Sequence, residues 1–485
     1  MLFPSFVFIF LFLPIVFVTY FLLGKLKNKK IATLFLVATS LYFYSYFEIK
    51  FLYLICGSML VNFTVGRVLL KVSRFRRSIL TIGILFNIAV LGYFKYADFF
   101  IENYNLIFDQ NMSLLYLALP LGISFITFQQ IAYLVDIYRG DITELRVSSY
   151  LIFSTFFPQL ITGPIVNHKD VITEYEDPKN KRIHAENVSK GLFIFLIGLV
   201  KKVVIADTFA LWVTDGFNTY ESLTFAEAWF VVLAYTIQLY FDFSGYCDMA
   251  IGLALLFNIR IPDNFNSPYK ARNISDFWRR WHMTLNRFLT RYVYFPLGGS
   301  RKGELITAFN IILVFFISGF WHGAGWTFII WGCLHGVASV IFRLFKKHTN
   351  IPMPYVLSWF ITFAFIVLAR VYFRSDTVSQ AHHMFGTLFS PDLTSVKQFI
   401  AEPSAIFVQA ADIFVFDTAL NTPFILIGLL AITLFIVLFM KNSIQLLAEF
   451  RFTWRTIVFI QVLAIILLTT LFFIQKSSEF IYFNF

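Results

Sequence analysis

The feature that most limits how this 485-residue chain can fold is a recurring apolar run, long enough each time to cross a lipid bilayer. A hydrocarbon core of roughly 30 Å is crossed by about 20 residues of α-helix. Runs of that order lie near 5–23, 31–48, 51–66, 79–97, 113–138, 191–211, 226–257, 305–321, 325–344, 354–373, 422–440 and 455–475. Lipid offers the backbone no hydrogen-bond partner, so such runs must fold as helices. The expected fold is an all-α integral membrane bundle with about 11–12 spans. Segments 149–166 and 272–297 are apolar but interrupted by Pro, Gly or Arg, and read as re-entrant or interfacial helices. The whole chain, 1–485, reads as one polytopic domain.

Charge is scarce and unevenly placed. Charged residues make up 14% of the chain, against roughly 25% in an average soluble domain. The net charge is +11. In a soluble protein this would suggest nucleic acid. Here the basic residues fall in loops between apolar runs, where anionic lipid headgroups account for them, and no nucleic-acid partner is expected. Lys25, Lys27, Lys29 and Lys30 follow the first run, Arg67 to Arg77 the third, and Arg139 to Arg182 the fifth. By the positive-inside rule these loops are cytoplasmic. Acidic connectors carrying Asp98, Glu102 and Asp109, or Asp215 and Glu221, then lie outside, as do both termini, including the final 480–485 Phe-Ile-Tyr-Phe-Asn-Phe. The first run lacks the charged leader and cleavage site of a signal peptide. The weakly apolar stretch 374–421, with Asp376, Asp392, Glu402, Asp412 and Asp417, reads as an outer connector, either plain loop or short interfacial helices.

Two Trp-His pairs stand out, Trp281-His282 and Trp321-His322, in a chain with only 8 histidines. An imidazole among apolar residues costs free energy unless it is paired or used. The second pair sits in Ser318-Gly319-Phe320-Trp321-His322-Gly323-Ala324-Gly325, at the bend of a helical hairpin with basic outer flanks. Gly319, Gly323 and Gly325 allow tight turning and close approach. His322 is the candidate catalytic base, and burial favours the neutral imidazole that a base must be. His335, on the return helix, reads as structural. His168, His184, His348, His382 and His383 fall in polar connectors and read as solvated.

The first pair lies in a basic aromatic stretch. Ser275 is a candidate N-cap, and Trp278, Trp281, Leu285, Leu289 and Tyr292 form an apolar stripe at helical spacing. Arg279, Arg280, Arg287, Arg301 and Lys302 are basic residues in or just after it. Two readings fit: a lipid-headgroup anchor, or a rim for a polyanionic donor such as a coenzyme A thioester, held by charge-assisted bonds. The Gly298-Gly299-Ser300-Arg301-Lys302 turn offers backbone N–H groups to the same ligand. Asp242 and Asp248 interrupt another apolar run, where carboxylates must pair or line a wet cavity. Pairing with an Arg of 270–302 is the expectation for Asp242, and Gln129 and Gln130 are candidate liners of the same cavity. Cys56, Cys247 and Cys333 form no CxxC and read as small hydrophobes, and no metal site is expected.

These stretches resemble the membrane-bound O-acyltransferase (MBOAT) family, in particular the branch typified by the alginate O-acetyltransferase AlgI. The resemblance rests on Ser-Phe-Ile-Thr-Phe-Gln-Gln (124–130), Phe-Phe-Pro-Gln-Leu-Ile-Thr-Gly-Pro (156–164), Tyr-Phe-Asp-Phe-Ser-Gly-Tyr (240–246), Asn-Phe-Asn-Ser-Pro-Tyr (264–269), Phe-Trp-Arg-Arg-Trp-His (277–282), Tyr-Phe-Pro-Leu-Gly-Gly-Ser-Arg-Lys-Gly (294–303) and Gly-Phe-Trp-His-Gly (319–323). It implies a helical membrane fold with a central tunnel, a core of chemistry within 110–345, catalytic His322 and a second site residue, His282. It further implies acetyl-coenzyme A as donor and the bacterial inner membrane as location. The implied partner is an extracytoplasmic SGNH-type acetyltransferase, and the acceptor a polysaccharide such as alginate. Peptidoglycan acetyltransferases share the pattern, and D-alanyl transferases are cousins. The rival from another class is a proton-coupled transporter or flippase using Asp242, Asp248 and the histidines, although no internal repeat supports it. A scaffold for polysaccharide export is a third reading.

Overall fold

The computed structural model describes residues 1–349, 351–401 and 423–473, all of them helical or irregular, with no strand among them. Six helices among these are long and apolar enough to cross a membrane: Lys50–Lys71, Arg76–Phe108, Phe225–Leu256, Glu304–His322, Trp326–His348 and Tyr355–Arg374. Shorter apolar helices run over Phe8–Leu23, Lys30–Ser45, Leu426–Phe439 and Trp454–Thr470. The expected connector 374–421 begins with two helices, Val378–Leu388 and Leu393–Ala401. Its remainder, with Glu402, Asp412 and Asp417, and the 480–485 ending lie outside the described residues.

The chain divides into two compact units, one of Met1–Phe195 with Cys247–Asp263, the other of Leu196–Tyr246 with Asn264–Phe485. In the first unit, helices Lys50–Lys71 and Arg76–Leu91 are clasped by a reciprocal amide pair. Asn62 donates to Asn87 Oδ1 at 3.1 Å, and Asn87 donates back at 2.7 Å. The run expected at 113–138 becomes helical only over Ile123–Arg139. Pro120 disfavours helix before it, and Gly122, at φ +68°, takes a left-handed conformation open to glycine. The irregular backbone ahead of it is held by Asp98, whose carboxylate accepts from Leu115 N and Tyr116 N.

The 149–166 segment breaks as its prolines require. Helix Val147–Thr155 stops at Phe156, and a short helix follows over Phe157–Leu160. The Phe153 carbonyl is taken by Gln129 and Gln159, each at 2.8 Å, and Phe157 N turns to Ser40 Oγ. Gln130 donates to Ser154 Oγ and accepts from the Tyr150 hydroxyl. Gln129 and Gln130 therefore satisfy the polar groups of a broken helix. His168 is another correction. It is buried against Tyr133 and Phe153, not solvated, and burial pushes its imidazole down to about 4. His184, His348, His382 and His383 are exposed as expected.

In the second unit, Asp242 on the long helix Phe225–Leu256 pairs with a lysine. Its carboxylate meets Lys202 Nζ at 2.7 Å, and Asp207 meets the same nitrogen at 2.8 Å, all three buried. Lys202 follows helix Ala185–Val200 in a π-helical turn, Lys201–Ala206, which brings the ammonium to the long helix. Removing one partner of such a buried cluster costs about 3–5 kcal/mol, because the other charges stay desolvated.

The hairpin Glu304–His322 and Trp326–His348 forms as read from the sequence. Its limbs touch through glycine. A Cβ on Gly319 would lie 3.1 Å from the Gly332 Cα, and one on Gly332 3.0 Å from the Gly319 Cα. The bend itself needs no glycine conformation, since Gly323 and Gly325 are extended at φ −157° and −165°. At the open end Lys347 pairs with Glu304.

Candidate active site

Both Trp-His pairs fall in the second unit, and the fold brings their imidazoles together. The ring centroids of His282 and His322 are 6.3 Å apart. His322 closes the first limb of the hairpin, is 2% exposed, and sits among the rings of Trp321, Trp331 and Phe373 at 4.9–5.4 Å. Its Nδ1 lies 2.6 Å from the Ser318 carbonyl oxygen, one turn back. A carbonyl only accepts, so Nδ1 carries the proton and the lone pair of the neutral ring is on Nε2.

His282 arises from a broken helix. The stretch expected as one interfacial helix is two, Ile274–Arg280 and Met283–Leu289, and the break is the Trp-His pair itself. His282 is left-handed at φ +44°. Asn264 replaces the missing helical acceptors. Its Oδ1 receives Thr284 N at 3.1 Å, Thr284 Oγ1 at 2.9 Å and His282 Nδ1 at 3.2 Å, and its carbonyl receives Met283 N. His282 thus also donates through Nδ1. Of the stripe, Trp278, Trp281, Leu285 and Leu289 are buried against protein and Tyr292 is half-buried. The N-cap is Asn273, whose side chain accepts from Asp276 N, and not Ser275.

A cavity of about 10 Å³, room for about one water molecule, lies against His322 and is also lined by Trp281, Trp331, His335, Arg370 and Phe373. Trp331, His335, Arg370 and Phe373 were not singled out from the sequence as site residues. Arg370 is buried near the end of helix Tyr355–Arg374, donates to the Thr236 carbonyl at 3.2 Å and to the Tyr269 hydroxyl, and lies over the rings of Tyr269 and Trp281. An arginine inside an apolar run was the signal that marked it. His335, read as structural, accepts the Trp278 indole N–H at 3.2 Å and shares the cavity.

The basic residues separate. Arg279 lines a surface cleft of about 610 Å³ with Asn286, Arg343, Lys346 and Lys347, and Trp278 forms part of its wall. Arg343, Lys346 and Lys347 had been read only as hairpin flanks. Arg280 pairs with Asp276 at 3.0 Å. Arg287, Arg301 and Lys302 are exposed, and none of them lines this cleft. The Gly298–Gly299 turn uses left-handed backbone at both glycines, φ +101° and +59°. Within the turn, Gly298 N donates to Phe295 O, Gly299 N to Tyr294 O and Arg301 N to Gly298 O, so these three N–H groups are already used. Among the described residues no three His, Cys, Asp or Glu side chains gather as a metal would require.

The two imidazoles thus lie together in an aromatic surround, His322 at the end of a helix of membrane-crossing length and His282 in the break between two short helices. Residues 3–375 match the MBOAT, membrane-bound O-acyltransferase family. The chain is 43% identical to the peptidoglycan O-acetyltransferase of Helicobacter pylori, over 100% of this chain and 98% of that one. It is 40% identical to the probable alginate O-acetylase AlgI of Pseudomonas putida, over 80% of each. The teichoic acid D-alanyltransferase of Bacillus subtilis is 28% identical over 54% of this chain and 70% of its own. The helical membrane fold, the family match and these relatives together make this chain a member of the membrane-bound O-acyltransferase family, and an acyltransferase.

Proposed function

We propose that this acyltransferase takes an acetyl group from acetyl-coenzyme A and hands it on for O-acetylation of a glycan outside the cell membrane, with His322 as general base. The observation that carries this reading is the Nδ1 bond of His322 to the Ser318 carbonyl, which fixes the basic nitrogen as Nε2. In the reaction an acceptor hydroxyl gives its proton to Nε2 as its oxygen bonds to the thioester carbon. The C–S bond then breaks, and the coenzyme thiolate leaves with the proton. An acyl-histidine is the covalent variant. His282 orients the donor or polarises its carbonyl. Arg279, which shares the basic cleft with Arg343, Lys346 and Lys347, supplies charge for the donor's phosphates, and Arg280, Arg287, Arg301 and Lys302 add positive charge outside it. Trp331, which faces His322, and Lys346, in the basic cleft, are about 22 Å apart along one helix at 1.5 Å per residue, a span suited to an extended pantetheine arm.

Peptidoglycan is favoured over alginate as acceptor, because the relative named for peptidoglycan matches end to end while those named for alginate match four-fifths of the chain. In this reading the protein sits in the inner membrane with both termini outside, and an SGNH-type transferase completes the esterification. Purified protein incubated with acetyl-coenzyme A should release free thiol, and acetyl ester should form on a soluble muropeptide when the SGNH-type transferase is added. Thiol release that persists unchanged in a folded His322→Ala variant would refute the proposal.

A further inference from the structure

The first unit carries a cleft of about 560 Å³, none of whose lining residues has a role in the acyl transfer proposed above; it is lined by Lys29, Lys30, Arg146, Ser149, Glu176 and Lys181 among others. It forms where the loops after the first and fifth apolar runs meet, with Lys29 Nζ 3.4 Å from the Pro178 carbonyl. Lys181 is 5% exposed. Its ammonium donates to the Tyr20 hydroxyl at 2.9 Å and the Tyr175 carbonyl at 3.1 Å, both uncharged, and lies over the Tyr20 ring. Glu176, the one carboxylate in the lining, is already committed to Arg146 at 3.0 Å and to Ser149 Oγ. Among the described residues no carboxylate pairs with Lys29, Lys30 or Lys181.

A desolvated ammonium without a counter-charge costs several kcal/mol. Here the cost grows, because Lys29 opposes Lys181 and the N-terminus of helix Lys30–Ser45 adds positive potential. The cleft therefore favours an anion with several acceptor oxygens. Its other walls, Leu34, Val147 and Ile152, are apolar. A bare ion would leave most of the volume empty, whereas an esterified phosphate fills both parts.

We propose that this cleft binds a phosphate ester, its oxyanion held by Lys29, Lys30 and Lys181 and its organic part against Leu34, Val147 and Ile152. The phosphate belongs either to a phospholipid headgroup or to a soluble ester, and the two are separable by experiment. Delipidated full-length protein in detergent is offered phosphatidylglycerol, and separately inorganic phosphate. Bound lipid is counted by native mass spectrometry, and ion binding is read as a rise in melting temperature. Binding of phosphatidylglycerol alone assigns a lipid, and a rise with phosphate assigns a soluble ester. In either case Lys181→Gln, and the exposed double variant Lys29→Gln/Lys30→Gln, should weaken binding about tenfold, the worth of a charge-assisted hydrogen bond. The control Lys25→Gln/Lys27→Gln, in the same loop but outside the cleft, should bind as the parent does. The proposal is overturned if neither probe binds, if the cleft variants bind as tightly as the parent, or if the control loses as much.

Discussion

The indole N–H of Trp278 meets Nδ1 of His335 at 3.2 Å, and the two residues face different spaces. Trp278 lines the basic cleft, and His335 lines the small cavity at His322. Trp278→Phe keeps an aromatic ring but leaves a buried nitrogen without its donor, at a cost of about 1–3 kcal/mol. A lower melting temperature with near-normal transfer per folded molecule is expected. A rate loss beyond about tenfold, at unchanged stability, would move His335 from support into the chemistry.

His322→Ala should lower acetyl transfer by about 10²–10⁴-fold, the usual worth of a positioned base. The Ser318 carbonyl that His322 Nδ1 meets is on its own helix, so loss of that bond costs no contact between helices. Thiol release and a melting curve on the same preparation separate the two effects.

His282 carries a backbone demand as well as a chemical one. Its φ of +44° costs an ordinary residue about 1–2 kcal/mol, and asparagine tolerates that region best after glycine. His282→Asn should therefore be more stable than His282→Ala. If the imidazole takes part in transfer, both variants are slow. If Asn264 needs only a residue that holds the turn, the asparagine variant keeps its rate.

Arg343→Gln/Lys346→Gln should raise the KM for acetyl-coenzyme A about tenfold with kcat nearly unchanged, because these charges line the cleft with Arg279 and lie far along the helix from His322. Arg287→Gln/Arg301→Gln, which alters exposed arginines that do not line the cleft, should raise it less. An equal effect from both pairs would spread the phosphate site over the whole basic segment.

His168 makes the fold sensitive to acid. Its imidazole titrates at about 4 when folded, against 6.5 for the free side chain, because burial opposes the charge. The unfolded chain therefore takes up the proton first. Stability is complete above pH 6.5 and falls as the pH drops towards 4, by about 1.4 kcal/mol per unit. The parent's melting temperature should fall between pH 6.5 and 5, and His168→Phe should flatten that fall.

Much of the helical order was legible because hydrophobic length is a local property. The hairpin and its terminal His322 followed from two apolar runs and a glycine-rich bend. What the sequence hid were relationships fixed by distant residues. Nothing near His282 announces that Asn264 would break its helix by drawing in three donors. The aromatic stripe around Trp278 has helical spacing, so it read as one amphipathic helix. Asp242 was matched to arginines because they were plentiful, and the π-helical turn that delivers Lys202 to it was not foreseen. Lys202 and Arg370 share one overlooked signal, a full charge inside an apolar run, which marks a buried partner more reliably than a cluster of surface charges does.

The contact of Gly319 with Gly332 has a mechanical consequence. Limbs packed this closely cannot slide past one another without steric collision, and parting them forfeits close-packed contact, so the arm bearing His322 acts as a fixed strut. A thioester far larger than a single water has to be admitted by the facing wall, through Trp331 and Phe373 changing rotamer or the helix that carries Arg370 drawing back.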